Sequence, residues 1–112
     1  MIYGSANGLD PAAGPGNQFW LENDLNNTEG SEANDRVPVA LAWGDYNADG
    51  YPDVVWGDRH EDIGLINEAG AVVVVYGSAN GLTARHNQLW SQDSPKIKDR
   101  SEADDAFGDN VA

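Results

Sequence analysis

An internal repeat constrains the fold of this chain more than any other feature. Residues 2–9 (Ile-Tyr-Gly-Ser-Ala-Asn-Gly-Leu) return as residues 75–82 (Val-Tyr-Gly-Ser-Ala-Asn-Gly-Leu), an offset of 73 residues. Two further segments return at an offset of 70 residues: 17–20 as 87–90, and 31–35 as 101–105. The offset changes in one Pro- and Gly-rich loop. Repeats of this length indicate stacked supersecondary units that cannot bury their apolar faces alone.

One complete unit is predicted to contain four strands, at about 38–43, 53–57, 71–76 and 87–91. These segments are short, largely apolar and bounded by turn residues, as strands are. The third is a near-continuous apolar run (Ala-Val-Val-Val-Val-Tyr), which suggests burial on both faces. Four-stranded antiparallel units in tandem are the blades of a β-propeller. The predicted fold class is therefore all-β.

The chain is predicted to span about one and three-quarter blades. Residues 1–22 are the end of one blade, with strands at 1–4 and 17–22. Residues 37–91 form a complete blade, and residues 107–112 begin the first strand of the next. A propeller closes with about 4–8 blades. We therefore expect neighbouring blades, in the same longer chain or in a homo-oligomer, to complete the ring.

An Asp-rich loop, residues 45–53, separates the first two strands of the complete blade. It reads Asp-Tyr-Asn-Ala-Asp-Gly-Tyr-Pro-Asp. Alternate residues of such a loop supply the oxygen ligands that Ca²⁺ requires, and the Gly permits the sharp turn. The predicted ligands are the side chains of Asp45, Asn47, Asp49 and Asp53 and the carbonyl of Tyr51. An acidic, solvated turn is the alternative, because the same residue types favour turns.

The flanks of this loop exclude an EF-hand. That motif requires helices on both sides and a bidentate Glu at loop position 12. The predicted neighbours are strands, and position 12 is Trp56. The ion is therefore expected to have a structural role in the loop.

The charge of the chain limits its partners. Nineteen acidic residues against six basic ones give a net charge of −13. Because phosphate binding depends on Lys and Arg, we expect no nucleic acid binding. Because no apolar run approaches the ~20 residues of a membrane span, we expect no membrane insertion. There are no cysteines, and residues 1–4 lack the pattern of a signal peptide.

The strands and the Asp-rich loop described above together resemble the FG-GAP repeat (the integrin α-type propeller repeat). The resemblance is carried by Phe107-Gly108 and by residues 39–45, which lead into the Asp-rich loop (residues 45–53, called the metal loop below). It is also carried by residues 53–57 and 70–77, which follow that loop. Val37-Pro38 stands where the family has Phe-Gly, and Asp58-Arg59 where it has Ala-Pro. The resemblance implies Ca²⁺ between the first two strands and a propeller that binds ligands or partners.

The aromatic residues have two interpretations. Trp20, Trp43, Trp56 and Trp90 lie on or beside predicted strands, where they would stack on sugars or fill the space between blades. Packing between blades is favoured, since Trp20 and Trp90 are repeat equivalents.

Other polar residues are expected to lie at the surface. His60 and His86 are predicted to be solvated. Glu61 and Asp62 could be a catalytic carboxylate pair, but surface charge is favoured. The repeated acidic loops ending at Asp35 and Asp105 are candidates for a second cation site or a contact with a neighbouring blade.

The expected function is a non-catalytic, calcium-binding propeller module for extracellular adhesion or for protein or glycan binding. No nucleophile–base pattern or cofactor motif occurs in the sequence. The alternative is a propeller segment of a secreted carbohydrate-active enzyme or lectin.

Overall fold

A computed structural model describes residues 1–20, 24–25 and 40–112. Its strands are β1 (Tyr3–Ser5), β2 (Gly8–Asp10), β3 (Ala40–Gly44), β4 (Asp53–Asp58), β5 (Ala71–Tyr76) and β6 (Thr83–Trp90). β1 and β2 form a two-stranded antiparallel sheet. β3 to β6 form a four-stranded antiparallel sheet in chain order. The all-β prediction is confirmed, and the second sheet has the strand arrangement of a propeller blade.

The strands of the larger sheet follow the predicted pattern closely. β5 has the predicted bounds and β4 extends one residue further. β6 begins at Thr83, before the predicted start at residue 87. The pairing register changes between Val74 and Tyr76, which indicates a bulge. Beyond this bulge Tyr76 pairs with Thr83, so β6 begins earlier than predicted.

Residues 1–18 repeat the pairing of β5 with β6. Tyr3 pairs with Asp10, as its equivalent Tyr76 pairs with Thr83. The Gln18 N–H donates to the Met1 carbonyl at 2.9 Å, and the Met1 amino group donates to the Gln18 carbonyl. The longer loop between these two pairings holds the extra residues of the first unit. The predicted strand at 17–22 is absent over residues 17–20, because only this one pair is formed, and residues 21–22 lie outside the described range.

One face of the larger sheet carries the core. Its buried apolar side chains are Val54, Trp56, Val73, Val75, Leu82 and Leu25, and the partly buried Trp20 and Leu89 pack against them. Trp20 comes from the preceding unit, so aromatic packing between units is confirmed there. In contrast, Trp43 on the edge strand β3 is 77% exposed.

The two units are joined by a polar contact that we call the Gln18 contact, formed by Tyr3, Gln18, Gly81 and Leu82. The Gln18 Nε2 donates to the Leu82 carbonyl at 3.0 Å, and the Leu82 N–H donates to the Gln18 Oε1 at 2.9 Å. The Tyr3 hydroxyl donates to the same Oε1 and accepts from the Leu82 N–H at 3.1 Å. A side-chain amide thus binds both polar groups of one residue.

The C-terminal segment packs against the sheet without extending it. Backbone N–H groups of Asp104, Ala106 and Phe107 donate to the carbonyls of residues 67, 68 and 69 respectively, at 3.0–3.2 Å. Residues 107–110 form turns and bends, and residues 107–112 lack the predicted strand, since the Phe107 N–H is used in this loop contact and the Asp109 N–H donates to the Ala106 carbonyl at 3.2 Å. A Cβ placed on Gly57 would lie 1.6 Å from the Gly108 carbonyl oxygen.

No helix within residues 1–20, 24–25 and 40–112 is long and apolar enough to span a membrane.

The close approach at Gly57 gives the first prediction. Gly57→Ala is expected to lower the free energy of unfolding by about 1–3 kcal/mol, because the methyl group overlaps backbone atoms that cannot rotate away. Gly4→Ala is the matched control, since a Cβ there has no heavy atom within 4 Å and its change should stay within about 0.5 kcal/mol. Urea unfolding followed by tryptophan fluorescence measures both. Equal effects of the two variants would contradict the packing of residue 108 on β4.

Candidate metal site

The predicted metal loop closes the hairpin between β3 and β4. Gly44 and Asp53 are paired across its base. Gly50 adopts φ of +90°, as the sequence predicts, and Ala48 adopts φ of +59°. The positive φ at Ala48 carries no signal in the sequence, since left-handed backbone is usually reserved for Gly, Asn or Asp.

Three predicted ligands are linked by hydrogen bonds within the loop. The Asp45 Oδ1 accepts from the Asp49 N–H at 3.0 Å, and its Oδ2 accepts from the Gly50 N–H at 2.9 Å. The Asn47 Oδ1 also accepts from the Asp49 N–H at 3.0 Å, and the Asp49 Oδ1 accepts from the Tyr51 N–H at 2.9 Å. All five of these residues are exposed. The loop is therefore wound around its own acidic side chains.

Asp53 is placed differently from the other predicted ligands. It is fully buried, with a relative exposure of 0%. Its Oδ2 accepts from the Tyr46 N–H at 2.8 Å, and its Oδ1 accepts from the Gly77 N–H at 2.9 Å. One carboxylate therefore connects the metal loop, the start of β4 and the residue that follows β5.

The donor chemistry of the loop fits a hard cation, although its side chains are not yet gathered around one point. Among the described residues, no group of three or more His, Asp or Glu side chains could hold a metal ion as placed. Each carboxylate oxygen has two lone pairs, so an oxygen that accepts an N–H retains one for a cation. Asp45, Asn47, Asp49 and Asp53 are therefore the side chains that would hold such a cation, without giving up the N–H contacts that shape the loop.

An open cavity of about 320 Å³ lies beside the loop. Its lining includes Asn47 and Asp49 from the loop and Tyr76, Arg85 and His86 from β5 and β6. The cavity therefore places a cationic side chain and a tyrosine ring within reach of whatever occupies the loop. His86 is exposed, in agreement with the sequence prediction.

Two buried acids, one at the end of β4 and one in the loop that follows it, were not predicted from the sequence. Asp58 is 2% exposed and its Oδ1 accepts from the His60 N–H at 2.9 Å, while Glu61 is 3% exposed. The prediction of surface charge is therefore wrong for Glu61. Its burial follows from the return of the loop to β5, where the Gly70 N–H donates to the Glu61 carbonyl at 3.0 Å. No periodic pattern in the polar loop signals this.

The neighbouring His60 is also more enclosed than predicted. Its side chain is 16% exposed, and its Nδ1 lies 3.6 Å from a carboxylate oxygen of Glu68. The Arg59 Nε donates to its Nε2 at 3.0 Å. The Asp62 Oδ1 accepts from the Glu68 N–H at 2.8 Å. Asp62 therefore shapes the turn that leads to Glu68.

The strand order and the loop define this part of the chain as a propeller-blade repeat. Comparison with family models identifies residues 37–75 as an FG-GAP repeat. The matched segment contains β3, the metal loop, β4 and most of β5, so this part of the chain is similar to an FG-GAP repeat. No curated protein and no solved structure matches the chain.

The buried position of Asp53 gives the second prediction. Asp53→Asn keeps the shape of the side chain but turns an NH₂ group toward a backbone N–H, so it should lower the free energy of unfolding by about 1–3 kcal/mol. Asp99→Asn is the control, because Asp99 is exposed and its change should be below about 0.5 kcal/mol. Both are measured by urea unfolding in EDTA. Stability loss confined to calcium-containing buffer would show that Asp53 acts only as a ligand.

Proposed function

We propose that this FG-GAP repeat is a non-catalytic structural and binding module whose 45–53 loop takes up Ca²⁺. The proposal rests on the arrangement of oxygen-bearing side chains in this loop. Side-chain oxygens alternate along it, and Asp53 fixes its base to both hairpins of the blade. A cation bound here would hold the β3–β4 hairpin in shape.

The energetic role of the ion follows from charge. The loop brings three carboxylates, those of Asp45, Asp49 and Asp53, into a short segment, and without a cation they repel one another. With few carboxylates and no bidentate Glu at position 12, the dissociation constant is expected at about 10⁻⁵ to 10⁻³ M. At about 1 mM Ca²⁺ and a dissociation constant near 10⁻⁴ M, binding adds about 1.4 kcal/mol to stability.

An extracellular setting suits this affinity. FG-GAP repeats are typical of extracellular proteins, where calcium is abundant enough to fill weak sites. The net charge of −13 favours divalent cations over nucleic acid and anionic membranes. The proposed role is therefore adhesion or partner binding outside the cell, by a blade that calcium stabilises.

The calcium proposal is tested by the response of stability to the ion. Asp49→Ala should abolish the rise in thermal stability that about 1 mM Ca²⁺ produces, because it removes a carboxylate from the centre of the loop. Asp99→Ala, outside the loop, should keep the full response. Thermal unfolding in Ca²⁺ and in EDTA, with calorimetric titration of Ca²⁺, measures both. An unchanged calcium response in Asp49→Ala would overturn the assignment.

Glycan binding is the second candidate, favoured by aromatic side chains around the loop. Trp43, Tyr46 and Tyr51 are 77%, 49% and 41% exposed, and exposed rings are surfaces on which sugars stack. The same surface would suit a lectin or the propeller segment of a secreted carbohydrate-active enzyme.

This alternative is tested on a glycan array together with an activity screen on acidic polysaccharides. Binding without turnover supports a lectin-type module, and Trp43→Ala should then weaken binding at least about tenfold, as loss of a stacking contact does. Leu65→Ala is the control, since Leu65 is fully exposed in another loop. Turnover of a polysaccharide would overturn the non-catalytic proposal.

A further inference from the structure

The cavity beside the metal loop is lined by polar groups that the fold itself does not use. The Arg85 guanidinium, the His86 ring and the Tyr76 hydroxyl form no hydrogen bond or ion pair with any residue in the ranges 1–20, 24–25 and 40–112. Arg85 is held through its backbone, whose N–H donates to the Thr83 Oγ1 at 3.1 Å. Hydrogen-bond donors of three side chains are therefore available to a ligand in one cavity.

Arg85 is not paired with the acids of the metal loop. Asp49 lines the same cavity, but no ion pair joins it to Arg85. The Asp49 oxygens accept instead from the Tyr51 N–H at 2.9 Å and from the Asn47 Nδ2 at 3.0 Å. Each of these oxygens keeps a further lone pair. The cavity lining therefore combines an unpaired guanidinium with a carboxylate that can still accept hydrogen bonds.

The backbone of β6 departs from a regular strand at the two cationic positions. Residues 84–87 lie opposite Val75 alone, because the pairing register shifts there. His86 adopts φ of +61°, which is uncommon for a residue other than Gly. Neighbours in a regular strand point to opposite faces, yet Arg85 and His86 both line the cavity. Bulges that redirect side chains in this way are frequent next to functional sites.

The unused groups define the chemistry of a ligand. A guanidinium presents its N–H donors in a planar fork that matches the two oxygens of a carboxylate. An imidazole and a phenol each add a donor, whereas the carboxylate of Asp49 only accepts and therefore suits hydroxyl groups. A ligand that satisfies both requirements carries a carboxylate and hydroxyl groups within one small unit. A hexuronate, a sugar ring with one carboxylate, has this combination.

The size and surroundings of the cavity favour a sugar over an acidic peptide. Its volume of about 320 Å³ lies at the lower end of the range for ligand pockets, roughly 300–1,000 Å³, and suits a single ring. Because the cavity is open, the next units of an oligosaccharide can extend into solvent. Trp43, Tyr46 and Tyr51 are exposed around the same loop, and exposed aromatic rings are surfaces on which sugars stack.

The net charge of −13 opposes long polyanions more than it opposes one acidic unit. Charges further away than about 8 Å are largely screened at physiological ionic strength. The local pairing with Arg85 is therefore decisive for a short ligand, and distant acids on the chain mainly slow its approach.

We propose that Arg85, His86 and Tyr76 bind the carboxylate of a hexuronate unit whose hydroxyl groups face Asp49. The proposal deepens the glycan-binding candidate described above and rests on it, since it names the class of sugar. The carboxylate contact itself involves no predicted calcium ligand, because its three residues lie outside the 45–53 loop.

The first test compares trigalacturonate with the matching neutral galactose trimer by titration calorimetry. The acidic trimer should bind at least about tenfold more tightly, and Arg85→Ala should abolish that preference, because the charge-assisted hydrogen bonds are lost. Arg100→Ala is the matched control, since it changes the net charge equally at an exposed position in another loop. It should keep the preference. Equal affinity of the unaltered chain for the two trimers overturns the proposal, as does an equal loss in Arg100→Ala and Arg85→Ala.

Two conservative variants separate recognition from folding. Arg85→Lys keeps the charge without the planar fork, so it should recover only part of the preference. Tyr76→Phe removes one hydroxyl and keeps the ring, so it should weaken the acidic trimer about threefold. The three altered groups have no partner among the described residues. Circular dichroism and the unfolding temperature should therefore be unchanged. Full recovery of the preference in Arg85→Lys contradicts the bidentate contact.

The same titrations distinguish failure of this proposal from failure of the broader ones. Trp43→Ala should weaken both trimers, because stacking does not depend on the acid group. Equal binding of both trimers that depends on Trp43 supports a glycan module and overturns the hexuronate site. No binding of either trimer up to about 10 mM overturns both. An Arg85-dependent preference that persists in EDTA and in Asp49→Ala supports the hexuronate site even where the calcium assignment fails.

Discussion

The blade depends on one buried carboxylate, that of Asp53. It has no access to solvent, and its two oxygens accept from backbone groups on both sides of β4. A buried charge is tolerated only when its hydrogen bonds are satisfied. The two N–H groups must therefore stay where they are, which fixes the metal loop against the end of β5. The exposed acids of the loop can move only around this fixed base.

The repeat units share a core that neither completes alone. Trp20 from the first unit packs against the apolar face of the second, and the Gln18 contact fixes the adjacent turn. Apolar contacts give most of the stabilisation but little direction, whereas a paired amide sets one register. Asp58 and Glu61 are, in contrast, buried acids within a single unit.

Much of this architecture could be predicted from the sequence. The apolar run of β5 and the repeated turn determine the sheet, because strand period and turn chemistry are local properties. The Asp-rich loop was located, but the burial of Asp53 was not, since it depends on Gly77, which is distant in sequence. Long-range packing likewise decided the turns at residues 107–110 and the enclosure of Glu61.

The unequal length of the two repeated hairpins has a consequence for how such repeats change over time. Tyr3 pairs with Asp10, and Gln18 pairs with Met1, as their equivalents do in the second unit. More residues separate these two pairings in the first unit than in the second. The added Pro- and Gly-rich segment, residues 11–16, lies outside the ladder. This corner of the blade is therefore a site where new sequence can be inserted without altering the pairing on either side of it, and so where one member of a family can acquire a surface that its siblings lack.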